Sequence, residues 1–198
     1  LQFEVRCGRA VIHPDFVMGR DPHQVAEAIA RAKRQGVSEA LLSELDGFTG
    51  AVGIWDSGRP GPVTAFRFDI DCVQVGETSD PAHEANAGGY ASERPNFMHA
   101  CGHDGHLAVG LGVAQWIKDH ADQLCGKIKL VFQPAEEGTR GARPMAESGI
   151  LDDVDFIVCT HIGSSVPLHQ AAVCTHGYLA TTKLDISFEA CRPMPAPI

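Results

Sequence analysis

The spacing of apolar residues predicts an amphipathic helix in the first quarter of the chain. Four apolar residues recur there at the helical period, which places them on one face: Val25, Ala28, Ile29 and Ala32. Asp21 can cap the first turn, and Pro22 suits the first helical position. Because Gly36 can end a helix, we predict a helix over residues 21–35.

Patterns typical of strands occur at several places along the chain. Phe66, Phe68 and Ile70 alternate with polar residues, so residues 62–71 are predicted to form a strand with one apolar face. A segment rich in turn residues separates it from an apolar run at 49–55, which predicts a hairpin. Further strands are predicted where the sequence is apolar, namely at 10–12, 127–133 and 155–160.

Helical and irregular segments alternate with these strands. Apolar residues at helical spacing predict a helix over 105–118, and a shorter helix is predicted over 142–148. Residues 76–97 are rich in Gly, Ala, Glu and Asn, which predicts a long loop. Strands that alternate with helices indicate an α/β fold. The predicted hairpin makes the sheet mixed.

Composition narrows the classes of function. The formal net charge of −9 argues against a nucleic-acid surface, which needs clustered Lys and Arg. The sequence has no run of 18 apolar residues that could cross a membrane and no visible signal peptide. Seven Cys without a regular framework are typical of reduced thiols in a cytosolic protein, so we expect a cytoplasmic location.

The densest group of chemical side chains lies at residues 98–106, M-H-A-C-G-H-D-G-H. Cys101 and His103 are two residues apart, so an extended segment would project both to the same side. A thiolate and an imidazole suit a divalent ion such as zinc. The alternative is a buried small Cys beside hydrogen-bonded His residues, but the density of ligand types favours a metal site.

Three further motifs follow predicted strands. Glu136 and Glu137 come just after strand 127–133; one carboxylate can bind a metal while its neighbour acts as general base. The alternative is a charged surface turn. His161 follows strand 155–160 and is either a ligand or a hydrogen-bonded cap. Asp71, at the end of strand 62–71, can orient a ligand imidazole or form a turn.

Together these motifs resemble the aminoacylase and amino-acid-conjugate amidohydrolase family of metallopeptidases. The resemblance rests on residues 98–106, on Q-P-A-E-E-G at 133–138 and on T-H-I-G at 160–163. More narrowly, segments at 31–36, 133–143, 152–156 and 179–183 are similar to aminobenzoyl-glutamate hydrolases. The resemblance implies a mixed-sheet catalytic domain with helices on both faces and two divalent metal ions, zinc or manganese.

The resemblance also assigns roles to single residues. Metal ligands would be Cys101, His103, Glu137 and His161; His99 and His106 match the motif but are not predicted to be ligands. Glu136 would be the general base, and Asp71 would orient a ligand. The implied reaction is hydrolysis of the amide between an acyl or aroyl group and an amino acid, with glutamate as the expected amino acid in a small-molecule substrate.

The family resemblance also sets expectations about domain organisation. Residues 1–189 match part of a catalytic domain, whereas residues 190–198 form an atypical Pro-rich tail. We expect the family's dimerisation domain and last metal ligand to be absent, and longer relatives to be dimeric or paired with a second subunit. We therefore expect this chain to be inactive alone. The alternatives are a non-catalytic metal-binding module and an unstable gene remnant.

Overall fold

The computed structural model describes residues 2–163, 166–173 and 186–188. The chain divides into two units, Leu1–Ser164 and Ser165–Ile198. In the second unit, the described residues form neither helix nor strand, and the predicted tail at 190–198 lies outside the described residues. Within the part of the chain that the structure describes, no helix is both long enough and apolar enough to cross a bilayer.

The first unit contains the strands and α-helices. In chain order they are β1 Glu4–Cys7, α1 Pro22–Arg34, α2 Glu39–Leu45, β2 Ala51–Asp56, β3 Val63–Asp69, α3 Glu84–Gly88, α4 His103–Asp119, β4 Lys127–Gln133, α5 Ala142–Ala146 and β5 Phe156–Cys159. The helix predicted at 21–35 is confirmed as α1, and the Asp21 side chain accepts a hydrogen bond from the His23 backbone N–H.

The strands form one mixed sheet in the order β1-β2-β4-β3-β5. Strands β1, β2 and β4 are antiparallel neighbours, whereas β3 pairs in parallel with both β4 and β5. The predicted hairpin between β2 and β3 is therefore wrong, although the sheet is mixed as expected. Its central strand is β4, which is buried along most of its length, as is typical of a strand covered on both faces.

The segment after β1 also departs from the prediction. The expected strand at 10–12 is absent, because the chain turns through a 3-10 helix at Gly8–Ala10. Gly8 has a left-handed φ of 55°, and a Cβ there would lie 2.4 Å from the Leu45 backbone. Val11 and Ile12 are apolar because they enter the core. Helix α2, capped by Ser38, is not among the predicted elements.

Two apolar clusters, one on each face of the sheet, hold the unit together. On one face, Ile117 of α4 packs with Phe68 and Leu130. On the other, Met145 of α5 packs with Val52 and Val131. Alternate residues of β4 enter opposite clusters, as the period of a strand requires. The expectation of helices on both faces of the sheet is confirmed.

This topology brings the chemical motifs to one edge of the sheet. Strands β3, β4 and β5 are parallel, and Asp69 at the end of β3 is in register with Gln133 at the end of β4. The segments that leave the carboxyl ends of parallel strands start at the same edge, where α/β proteins place their sites.

Candidate metal centre

Two overlapping groups of potential metal ligands lie at this edge. One consists of Cys101, His103 and Glu137, and the other of Asp69, His103, His106 and His161. Within each group, one ligand atom from every residue lies within 4.8 Å of the others. His103 belongs to both groups and is therefore the centre of the arrangement.

His103 is the first residue of α4 and is fully buried. Its Nδ1 donates to the Asp71 backbone carbonyl over 2.8 Å. The same ring's Nε2 has no hydrogen-bond partner among the described residues. It lies 3.8 Å from a carboxylate oxygen of Glu136 and 3.8 Å from one of Glu137. Metal-binding His residues are commonly fixed in this way, with one ring N–H held by an acceptor and the other nitrogen left for the ion.

Cys101 approaches the same point from the turn before α4. The predicted extended arrangement of Cys101 and His103 is wrong, since Gly102 between them has a left-handed φ of 80° and caps the helix. The two side chains nevertheless converge. The Cys101 pKa is raised to about 11, first by its hydrogen bond with Glu137, then by burial and by the charges of Glu137, Glu136 and Asp69. A bound cation would oppose this effect, because it favours the thiolate.

Glu136 and Glu137 lie on a tight turn after β4. The backbone N–H groups of both residues donate to the Asp71 carboxylate, over 3.0 and 3.1 Å. Ala135, just before them, has a left-handed φ of 53°, which is uncommon outside Gly, Asn and Asp. Asp71 therefore fixes the turn with its side chain and holds His103 with its main chain.

His161 reaches the cluster from the segment after β5. Its Nδ1 donates to the Ile162 carbonyl over 2.8 Å, and its Nε2 lies 3.7 Å from the Cys101 sulfur. The His161 and His103 ring centroids are 5.6 Å apart. Like His103, His161 uses Nδ1 for the main chain and directs Nε2 toward the cluster.

Two buried residues of the cluster are absent from the predicted site, namely Asp69 and His106. Asp69 accepts hydrogen bonds from Arg67, over 2.7 Å, and from His106. Burial raises the Asp69 pKa, but the hydrogen bond from His106 and the charge of Arg67 outweigh it, so the net shift is downward. The other ring nitrogen of His106 accepts the Ile162 backbone N–H over 2.7 Å.

The sequence carried a signal for both residues. His103 and His106 are three apart on α4, which places them on one helix face, and their rings stack with centroids 5.3 Å apart. Asp69 is the last residue of β3, and Asp71 follows it by two positions. In contrast, His99 lies outside both ligand groups and lines a neighbouring cavity.

The donor atoms fit a borderline divalent cation. The cluster offers a thiol sulfur, imidazole nitrogens and carboxylate oxygens within a few ångströms, which is a set that zinc and similar ions accept. A buried imidazole nitrogen without a hydrogen bond is costly, and coordination would satisfy His103 Nε2. The residues present therefore fit the metal that the sequence motifs predict.

Curated relatives support an amide-cleaving enzyme class. The chain is 48% identical over 187 residues to a Haemophilus influenzae homolog of one subunit of p-aminobenzoyl-glutamate hydrolase, covering 94% of this chain and 44% of that protein. It is 47% identical over 190 residues to the indole-3-acetyl-aspartic acid hydrolase of Enterobacter agglomerans, covering 95% and 44%. The chain thus spans less than half the length of these relatives.

Solved structures and a family pattern agree with the fold. An aminobenzoyl-glutamate utilization protein from Klebsiella pneumoniae matches with a TM-score of 0.65 and 42% identity, covering 83% of this chain and 36% of that one. A Bacillus subtilis protein described as a dinuclear metal binding peptidase from the M20 family matches with a TM-score of 0.55 and 30% identity, covering 73% and 38%. The family pattern matches residues 65–197. The chain therefore belongs to Peptidase family M20/M25/M40.

Proposed function

We propose that the protein carrying this chain hydrolyses the amide bond between an aromatic acyl group and an acidic amino acid, with aminobenzoyl-glutamate as the expected substrate. The observation that carries the proposal is the pair of adjacent carboxylates beside the buried Nε2 of His103, which has no hydrogen-bond partner in the described part of the chain. The two curated relatives are named for substrates that join an aromatic acyl group to glutamate or aspartate, which supports the substrate class.

The proposed metal ligands are Cys101, His103, Glu137 and His161. Cys101, His103 and Glu137 form one compact ligand group, and His161 adds a nitrogen 3.7 Å from the Cys101 sulfur. We expect two divalent ions, zinc or manganese, in agreement with the dinuclear relative. When bound, such ions polarise the scissile carbonyl and lower the pKa of a water molecule.

Glu136 is the proposed general base. Its carboxylate is partly exposed and lies 3.8 Å from His103 Nε2, so it can reach both the ligand cluster and a water molecule. Glu136 takes a proton from the attacking water as the water oxygen bonds to the carbonyl carbon. The carbon–nitrogen bond then breaks, and Glu136 returns the proton to the departing amine.

Asp71 is proposed to position these groups rather than to react. Its carboxylate accepts the backbone N–H groups of Glu136 and Glu137, and its carbonyl accepts from His103 Nδ1. One residue therefore sets the relative placement of the base and of two proposed ligands. Such support is typical of metal sites, in which the groups behind the ligands fix their orientation.

The test compares Glu136→Gln with Glu27→Gln in the full-length protein. Glu27 is exposed on α1 and lies outside the cluster, so its substitution should leave both metal content and hydrolysis unchanged. Glu136→Gln should keep the metal, measured by mass spectrometry, and lose at least about a hundredfold in kcat on aminobenzoyl-glutamate. Retained hydrolysis in Glu136→Gln would exclude this residue as the base. A wild-type protein that binds metal but cleaves no N-acyl amino acid would favour a non-catalytic module.

Assembly and location also belong to this proposal. The Haemophilus relative is named as a homolog of one hydrolase subunit, which supports pairing with a second one. We propose that residues 1–189 contribute part of the catalytic domain of a longer enzyme whose further domain contributes to dimerisation. A cytoplasmic location, and the absence of nucleic-acid and membrane surfaces, stay predictions from composition.

A further inference from the structure

The connection between β1 and β2 is much longer than the fold requires. These strands are antiparallel neighbours, with Cys7 opposite Ala51, and a hairpin loop of about two to five residues can join such a pair. Residues 8–50 intervene instead and contain α1 and α2. Neither helix buries a residue, so α1 and α2 add little to the core, whereas Val11 and Ile12 of the same connection are buried in it.

The apolar sides of α1 and α2 line a cavity of about 830 Å³. From α1 the wall contains Val25, Ala28 and Ile29, and from α2 it contains Leu42 and Leu45. The volume lies within the range of about 300–1,000 Å³ that is typical of small-molecule sites. An apolar helix face left against open space would be unfavourable, unless an apolar ligand covers it.

The same cavity reaches the metal centre. Asp71 and Glu137 are part of its wall, together with His99 from the 98–106 motif. A group that fills the space between the helices therefore lies next to the proposed ligand Glu137 and to Asp71, which positions the proposed base. This continuity favours a substrate group over a segment of a protein partner as the occupant.

Aromatic rings and cations complete the wall. The Arg20 guanidinium lies 4.4 Å from the centre of the Phe48 ring, and that of Arg94 lies 3.7 Å from the centre of the Phe97 ring. All four residues line the cavity. Aromatic and apolar walls suit a flat aromatic group, and the arginine charges complement a substrate that carries carboxylates.

We propose that α1 and α2 form the acyl-group pocket of the enzyme and select substrates with an aromatic acyl group. This inference rests on the proposed function for the identity of the substrate, but the pocket itself can be tested by binding. It assigns a specificity role to residues 22–45, which contribute no proposed ligand or base. Ala28 is the most informative position, because a larger side chain there would enter the cavity.

The test compares Ala28→Trp with Ala30→Trp in the full-length protein. Ala28 lines the cavity, whereas Ala30 is exposed on the same helix and outside the wall. The assay is the ratio of kcat/KM for aminobenzoyl-glutamate to kcat/KM for acetyl-glutamate. Ala28→Trp should lower this ratio by at least about tenfold through the loss of the aromatic substrate, and Ala30→Trp should leave it unchanged. An unchanged ratio in a folded Ala28→Trp protein would overturn the pocket.

A second variant and a binding assay cover the other outcomes. Leu42→Ala enlarges the cavity and should raise the relative kcat/KM for the larger indole-3-acetyl-aspartate. If the wild type cleaves neither acyl amino acid, the proposed function fails, and calorimetric binding of 4-aminobenzoate still decides on the pocket. Ala30→Trp should bind it as the wild type does, and Ala28→Trp should lose binding at least about tenfold. Equal binding by wild type and Ala28→Trp, or none by wild type, refutes the inference.

Discussion

His106 makes one hydrogen bond with the Asp69 side chain and another with the Ile162 backbone. The contributions of its two ring nitrogens can be tested separately. Its Nε2 accepts the Ile162 N–H, so Nε2 carries no proton and Nδ1 donates to Asp69. The first bond holds the segment that carries His161 against α4. The second hydrogen bond satisfies the Asp69 carboxylate, which is fully buried. We expect the loss of each bond to have a different consequence.

Substitution of His106 by Asn or by Gln retains one of its two hydrogen bonds and removes the other. In His106→Asn, the amide can donate to Asp69 but is too short to accept the Ile162 N–H. A hydrogen bond of this kind contributes about 1 kcal/mol, which corresponds to an affinity loss of about fivefold for a metal that uses His161. In His106→Gln, the longer side chain can accept the Ile162 N–H but leaves Asp69 without this donor.

His106→Gln is expected to lower the free energy of unfolding rather than the metal affinity. A buried acceptor that loses a partner costs about 1–3 kcal/mol in the free energy of unfolding; Asp69 keeps Arg67 as a second partner, which favours the lower part of that range. Metal affinity is measured by zinc titration, and stability by chemical denaturation of the metal-free protein. If the two variants lose metal affinity equally, or if Gln loses more than Asn, His106 does not act through Ile162.

Two further predictions concern a thiol and the core. Because the Cys101 pKa is raised to about 11, the metal-free thiol is protonated at neutral pH. Zinc binding should therefore release a proton from it and tighten about tenfold per pH unit from this group alone, as calorimetry in buffers of different ionisation enthalpy would show; Cys101→Ser should lose that proton release. The Phe68 side chain is 1% exposed, so Phe68→Ala should lower the free energy of unfolding by about 3–5 kcal/mol. The control Leu107→Ala, at an exposed position, should lower it by less than about 0.5 kcal/mol.

The local pattern of the sequence predicted most of the elements but not their pairing. The apolar period of α1 and the alternation of β3 are properties of a few neighbouring residues, so both could be predicted. The partner of β3 could not, because a dense turn such as 57–62 suits either a hairpin or a crossover to another strand. In the structure β4 lies between β2 and β3, and this pairing joins residues more than 60 positions apart in the sequence.

The same distinction applies to the site. Cys101, His103, Glu136 and Glu137 could be proposed because their motifs concentrate several ligand types within a few residues. Asp69 and His106 are 37 positions apart, and each alone has a common structural explanation. Only the packing of α4 against β3 brings them into contact.

The proposed pocket also gives a reason for the separation of the metal-ligand motifs from helices α1 and α2 in the sequence. The metal cluster is held by strand ends and by α4, which are fixed by the two apolar clusters of the sheet. A change there would disturb folding and chemistry together. Helices α1 and α2 bury no residue yet line the cavity beside Glu137. Substitutions on these two helices can therefore change the shape of the cavity at little cost to the core. On the proposed assignment, this is where substrate preference can vary while the candidate metal ligands are retained.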